Sequence, residues 1–471
     1  MASTSPNPTT AVSAPGKVLL AGGYLVLDRA YTGLVFGLSA RINVIAQEIK
    51  TSPGVQLSEI VVKSPQFLEA QWRYGYRLAE GDGGIKVTQL QIGSHINPNP
   101  FVETTLSYVL SYISRASASY RRHPSHTIKP ARLLVLADND YYSAPSSPPH
   151  STASTSGSDT SSTTPQPSPS TRFASFPVTL SSAHKTGLGS SAALVTALAA
   201  SLLGHYLSPQ IFDVSTAKGK TVLHNLAQAA HCAAQGKVGS GFDVAAAVWG
   251  SCLYRRFSPG VLAGLGEVGS RGFGARLQAL VDDEGGKVWD AEVRKEGVSL
   301  PAGVAVRMCD VDCGSQTVGM VKGVLKWRGE KEDEAEAIWE ELQRRNEGLA
   351  EVLREGRTGE IRERVRGVRE MIRKMGRESG VPIEPESQTE LLDALEGVEG
   401  VYGGVVPGAG GFDALALLVR DDKETEERLK EFLARWSKEK GGMVSLLGVK
   451  GEMEGVRTER LEEYHGWVAE S

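Results

Sequence analysis

The chain has 471 residues, of which 41% are apolar and 23% charged, with a formal net charge of −4. This is the make-up of a globular protein long enough for two or three domains. A balance so near neutrality gives no electrostatic basis for binding nucleic acid or an anionic membrane.

The segment 1–10 is polar, lacks the basic and apolar stretches of a secretory leader, and is expected to be a disordered tail. Lys17 to Ala21 reads as a short buried strand, Gly22-Gly23 as a turn, and Tyr24 to Leu27 as the same strand resumed before Asp28. Leu34 to Ile49, rich in Val and Ile, is again strand-like. A helical pattern runs between Glu103 and Ser119, and Ala131 to Ala137 is a further strand. From Ser143 to Thr171 the sequence is almost all Ser, Thr and Pro, too polar to offset its own ordering entropy, and is expected to be a disordered surface insertion.

Phe176 to Leu180 reads as a strand leading into Lys185-Thr-Gly-Leu-Gly-Ser-Ser-Ala-Ala. The run from Ala192 to Leu203 is apolar nearly all round, which predicts a buried helix. It is too short and too interrupted to cross a membrane. A glycine-rich turn entering such a helix cradles phosphate, because backbone and helix dipole both face the anion. It is not a Walker loop, since Lys185 precedes the glycines instead of following them.

A second helix, Val222 to Gln235, ends at Gly236. Lys237-Val-Gly-Ser-Gly-Phe-Asp243 then forms another glycine-rich turn before a small-residue helix. A second domain begins near Pro301, with a strand from Val304 to Met308. Two charged helices follow, with apolar stripes Ile338, Leu342, Leu349, Leu353 and Ile361, Val365, Val368, Ile372, Met375. A third turn, Gly408-Ala-Gly-Gly-Phe-Asp413, enters a strand. The cysteines Cys232, Cys252, Cys309 and Cys313 form no zinc pattern and read as reduced thiols of a cytoplasmic protein.

Each turn alone is compatible with a helix cap or a simple bend. Together they describe a polyanionic ligand gripped from several sides. Ser13-Ala-Pro-Gly-Lys-Val-Leu-Leu-Ala-Gly-Gly-Tyr24, Lys185 to Ala193 and Gly408 to Ala414 resemble, in order and separation, the three motifs of the GHMP kinases, which include galactokinases, homoserine kinases and mevalonate kinases. Mevalonate kinases usually carry Gly-Glu-His where this chain has Gly22-Gly23-Tyr24. That segment and His231 to Asp243 resemble the fungal branch whose acceptor is already phosphorylated.

The resemblance implies a two-domain α+β fold. A half like the second domain of ribosomal protein S5 spans 11–290, including the insertion 143–171, and a ferredoxin-like half spans 301–465. It implies ATP and Mg²⁺ as cofactors and a small-molecule acceptor, with the chain a monomer or homodimer. Lys17 and Asp243 would be catalytic. Lys185, Gly187, Leu188, Gly189, Ser190, Ser191 and Ala192 would hold the nucleotide, and Ser191 the metal. Tyr24, Ser240, Ser315, Gly410 and Gly411 would surround the acceptor, with Lys237 or His184 as clamps for its phosphate. One departure stands out: where mevalonate kinases offer a glutamate to the metal, the region around His231 and Cys232 has no acid. Two other functions fit the same motifs, a family kinase with a hydroxyl acceptor and a non-catalytic metabolite sensor, although the latter sits poorly with the presence of both Lys17 and Asp243.

Overall fold

The computed structural model describes residues 7–52, 55, 57–90, 98–117, 128–142, 172–312 and 319–468. The insertion 143–171, most of the tail, Cys313 and Ser315 lie outside them.

The first half contains β1 (Thr10–Ala21), β2 (Gly33–Glu48), β3 (Glu59–Lys63), β4 (Gln71–Leu78), β5 (Ile85–Leu90), α1 (Pro100–Ala116), β6 (Ala131–Ala137), α2 (Ser190–Tyr206), α3 (Ala217–Gln235), α4 (Phe242–Trp249), β7 (Cys252–Arg255), α5 (Phe273–Asp282) and β8 (Glu292–Arg294). The second contains β9 (Val304–Asp312), α6 (Met320–Glu330), α7 (Glu332–Glu355), α8 (Ile361–Ser379), α9 (Glu386–Leu395), β10 (Val401–Val405), β11 (Ala414–Arg420), α10 (Lys423–Lys440), β12 (Met443–Glu452) and β13 (Arg457–Thr458).

The spine is β2. Its residues are buried on both faces, which accounts for its unbroken apolar reading. One edge pairs antiparallel with β1, while β7, β12 and β6 share the other edge in succession. In the second half, β10-β11-β9-β12 form an antiparallel sheet with helices in both crossovers, the strand order of a ferredoxin-like fold. The α+β class expected from the motifs is therefore what the chain adopts.

The two sheets are continuous. Strand β12 pairs with β9 over most of its length and then with Leu38 and Gly37 of β2. Beyond it the chain stays on the first half: β13 pairs with β1, the Tyr464 hydroxyl donates to Asn43 Oδ1 at 2.9 Å, and Glu459 Oε1 accepts from Ser13 Oγ at 2.5 Å. Arg41, 1% exposed, is satisfied largely by this returning segment, through Glu452 Oε2 (3.0 Å) and the Gly455 carbonyl.

Two local expectations are corrected. Tyr24 to Leu27 does not resume β1. Tyr24 has φ 67°, outside the range of any strand, and Leu25–Leu27 is a turn of 3-10 helix. Phe176 to Leu180 is not a strand; its one ladder contact is the bridge from Thr179 to Leu68, and Pro177 has no N–H to extend it. The helix after Ser190 is buried as its composition predicts, packed on β1 and β2. Cys232, Cys252 and Cys309 are buried free thiols. Among the described residues no helix is long and apolar enough to cross a membrane.

His224, on α3, is fully buried against Trp289, and its Nε2 has no hydrogen-bond partner. Burial pushes its pKa down from 6.5 to about 4. Below pH 6.5 the unfolded chain binds a proton that the folded chain refuses, so stability is intact above that pH and is lost on acidification. The loss amounts to about 3 kcal/mol by pH 4. His224→Phe is expected to remove this share of the acid sensitivity, which urea midpoints at pH 7 and pH 4 would measure.

Candidate active site

Three glycine turns meet at the junction of the halves. In β1 the pairing with β2 slips between Pro15 and Lys17, a bulge that re-aims the lysine side chain. The Lys17 N–H donates to Leu188 O at 2.9 Å, which ties this bulge to the phosphate-loop candidate. Gly189 precedes α2 with φ 81°, and a Cβ there would lie 2.7 Å from Lys17 Cε. A glycine is needed twice over, for the left-handed backbone and because the lysine stem crosses its face. Having no side chain, Gly189 cannot cap α2, so the first N–H groups of the helix are left for a ligand. The loop is braced from below: Thr186 Oγ1 donates to Asp140 O at 2.5 Å, and Lys185 bridges to Tyr142.

The Lys17 ammonium sits 5.6 Å from the centre of the Phe242 ring, beside Asp243 in the first turn of α4. Burial pulls its pKa below the ordinary lysine value, and the Asp243 carboxylate restores part of the shift. The turn before α4 is fixed by Arg256, which donates to Gly239 O (3.0 Å), Val238 O (3.2 Å) and Leu27 O (2.6 Å). Tyr254 donates to Ser240 O at 2.8 Å.

The third turn reaches across from the second half. Gly408 N donates to Leu19 O at 3.1 Å, and a Cβ on Gly23 would stand 2.2 Å from Gly408 O. Tyr24, expected near the acceptor, is 3% exposed and gives its hydroxyl to Ala409 O at 2.6 Å, so that hydroxyl has a protein partner. Gly411 N donates to Ile383 O at 2.9 Å, which holds Gly410-Gly411 to their own half. Burial raises the pKa of Asp413, and His184, nearby, pulls it partly back down.

Behind the loop lies a cavity of about 110 Å³ walled by Trp72, Phe101, Tyr142 and Leu194, with Lys185, Ser190 and Ser191 also on its lining. Its apolar floor comes from β4 and the start of α1, which no motif announced. The structure thus brings together Lys17, Gly189, Ser190, Ser191 and Asp243, while Ser315 lies outside the described residues. It also brings in His231, passed over in the sequence as the place where an acid was missing. His231 Nε2 is 3.2 Å from Ser191 Oγ, and Nδ1 is 3.8 Å from Asp243 Oδ2.

Gly189→Ala is expected to weaken ATP binding about tenfold, the cost of an alanine in the left-handed region, before any clash with Lys17 is counted. Calorimetric titration with ATP would measure it, and unchanged affinity would contradict the role given to this turn.

Residues 174–251 match the GHMP kinases N terminal domain family, and residues 351–439 match GHMP kinases C terminal. A phosphomevalonate kinase of Gibberella zeae is 62% identical over 462 residues, covering 98% of this chain and 99% of that protein. One from Aspergillus fumigatus is 46% identical over 506 residues, with 98% and 99% covered. A solved structure of Streptococcus pneumoniae phosphomevalonate kinase in complex with phosphomevalonate and AMPPNP shares the fold, with a TM-score of 0.54 and 16% identity over 95% of this chain and 99% of that one. The chain belongs to the GHMP kinase family. Within it, the full-length relatives put it among the phosphomevalonate kinases.

Proposed function

We propose that the chain transfers the γ-phosphoryl group of ATP to the phosphate of 5-phosphomevalonate, releasing mevalonate 5-diphosphate and ADP. The observation that carries this reading is the convergence of a buried lysine with two helix N-termini, those of α2 and α4, at the junction of the halves. An oxygen of the acceptor phosphate bonds to the γ-phosphorus as the bond to the β-phosphate bridging oxygen breaks, and ADP leaves with that electron pair. A phosphomonoester has a second pKa of about 6, so its attacking oxygen is already ionised near pH 7 and no proton need be removed. The difficulty is repulsion between two polyanions, and catalysis is a matter of positioning and charge.

The residues divide that work. Backbone N–H groups from Gly187 to Ala192 wrap the ATP phosphates, Lys185 lies at their edge, and the cavity walled by Trp72 and Phe101 takes the nucleoside. Lys17 neutralises the phosphoryl group in transit, and Asp243 holds the lysine charged and in place. Lys237 or His184, both exposed, clamps the acceptor phosphate together with Ser240, Ser315 and the Gly410-Gly411 turn.

Mg²⁺ fits the donors present. The Ser191 hydroxyl is a hard oxygen ligand, and the described residues hold no cluster of three or more His, Cys, Asp or Glu that would build an all-protein cage. Ser191 would hold the ion, which supplies charge neutralisation on the phosphates. The halves 11–290 and 301–465 remain our division of labour, with the last residues of the second serving the first. We also read the chain as cytoplasmic, from its buried free thiols, and as a monomer or homodimer; a fluorescent fusion and sedimentation would test these points.

The deciding experiment follows ADP release from Mg-ATP with phosphomevalonate or mevalonate as acceptor. Turnover with the first and none with the second is expected. The reverse would overturn the proposal.

A further inference from the structure

His231 stands on the same stripe of α3 as His224, two turns further on, and is 2% exposed. Its surroundings differ from those of a histidine that merely fills a core. The ring lies 5.7 Å from that of Phe101, with each nitrogen turned to a residue of the site: Nδ1 toward Asp243 Oδ2 at 3.8 Å, and Nε2 toward Ser191 Oγ at 3.2 Å. A third group decides the tautomer. Gln235 places its amide nitrogen 3.1 Å from the same Nε2. An amide nitrogen only donates, so Nε2 must accept, and in a neutral imidazole the proton then sits on Nδ1, facing the carboxylate. Nε2 then has one lone pair for two donors, and the Ser191 hydroxyl, at 3.2 Å, shares it with the Gln235 amide by pointing its own hydrogen there.

We propose that His231 is a positioning residue that takes the hydroxyl hydrogen of Ser191 and thereby turns the oxygen lone pairs outward, to the side where the metal-bound nucleotide docks. The inference rests on the kinase reading given above. A hydroxyl is a good metal ligand only with a lone pair aimed at the ion, and a free rotor would give up part of the binding in being fixed. Residues that hydrogen-bond a metal ligand in this way alter metal affinity about 10- to 100-fold when removed. This would explain how the site does without an acid at this point of α3: the helix orients an oxygen ligand instead of supplying one.

Two measurements on the full chain test it. Selective ¹⁵N labelling of histidine, with His231 assigned by its disappearance in His231→Gln, reads the tautomer directly. A proton on Nδ1 alone is expected, and an Nε2–H form or an imidazolium would overturn the proposal. Calorimetry then compares ATP binding with and without Mn²⁺. His231→Leu is expected to lose about tenfold of the affinity gained from the metal while binding metal-free ATP as before. His231→Gln, whose amide oxygen can accept near the Nε2 position, should keep most of the gain. Equal weakening with and without metal, or no change in His231→Leu, would overturn the proposal alone. Failure of the unaltered chain to bind Mn-ATP would remove the kinase reading and this proposal with it.

Discussion

Lys17→Met is expected to lower kcat with phosphomevalonate about a thousandfold, and Asp243→Asn by less than about a hundredfold. The order follows from the acceptor. Were the nucleophile a hydroxyl, Asp243 would stand where a base is needed and its amide would be the more damaging change. With an ionised phosphate the aspartate has no proton to take, and what remains is its attraction for Lys17. The lysine meets charge that grows between two polyanions, in a site where burial has stripped it of water and strengthened its field. Because burial disfavours the ammonium, Lys17→Met should leave the thermal midpoint unchanged or raised, which separates the catalytic loss from misfolding. Steady-state rates of both variants decide the matter, and a larger loss for Asp243→Asn would show that a base is required after all.

Arg369→Leu is expected to destabilise the chain by about 3 kcal/mol, because it removes the one buried cation shared by the carboxylates and leaves only the more exposed Arg373 beside Glu384 and Arg366 beside Glu396. The Arg369 side chain is 2% exposed and that of Glu384 is 0% exposed, with Nη2 and Oε1 2.7 Å apart; Asp393 (2.8 Å) and Glu396 (3.2 Å) also pair with it. The effect should extend to the site. Glu384 follows Ile383, whose carbonyl accepts from Gly411 in the third turn. Urea unfolding would measure the stability. A variant that unfolds at the midpoint of the unaltered chain would show that the cluster contributes no net stability.

The parts of this protein legible in its sequence are those where local chemistry and tertiary structure agree. The turn-then-helix at Gly189 and Ser190 could be read because glycine, serine and a fully apolar helix each demand the same arrangement. The stripe from Ile361 to Met375 could be read because α8 buries one face only. Tyr24 to Leu27 misled because apolar residues in a short run look alike in strand and helix. What decides it is contact: the Tyr24 hydroxyl reaches Ala409, hundreds of residues away, and the backbone turns to permit it. Phe176 to Leu180 misled because it carries its own interruption, Pro177, which has no N–H to extend a ladder beyond the bridge to Leu68. The cavity behind the phosphate-loop candidate and the Ser191, His231 and Asp243 grouping were invisible for a related reason. Each joins segments that no spacing rule connects, and the only trace of the histidine in the sequence reading was an acid missing from its neighbourhood.

The route of the final segment affects how the molecule is made. Arg41, in the middle of the central strand, waits for Glu452 and Gly455, and Ser13 waits for Glu459. The Arg41 partners are made 411 and 414 residues after it. The nucleotide-binding half, though encoded first, therefore cannot complete its own interior until those residues are made, and before then the guanidinium has only Ser13 as a partner, through Oγ and the carbonyl. A nascent chain arrested before residue 450 should be a good client for chaperones and a poor binder of ATP, and the two halves cannot be separated by a single cut into independent folding units.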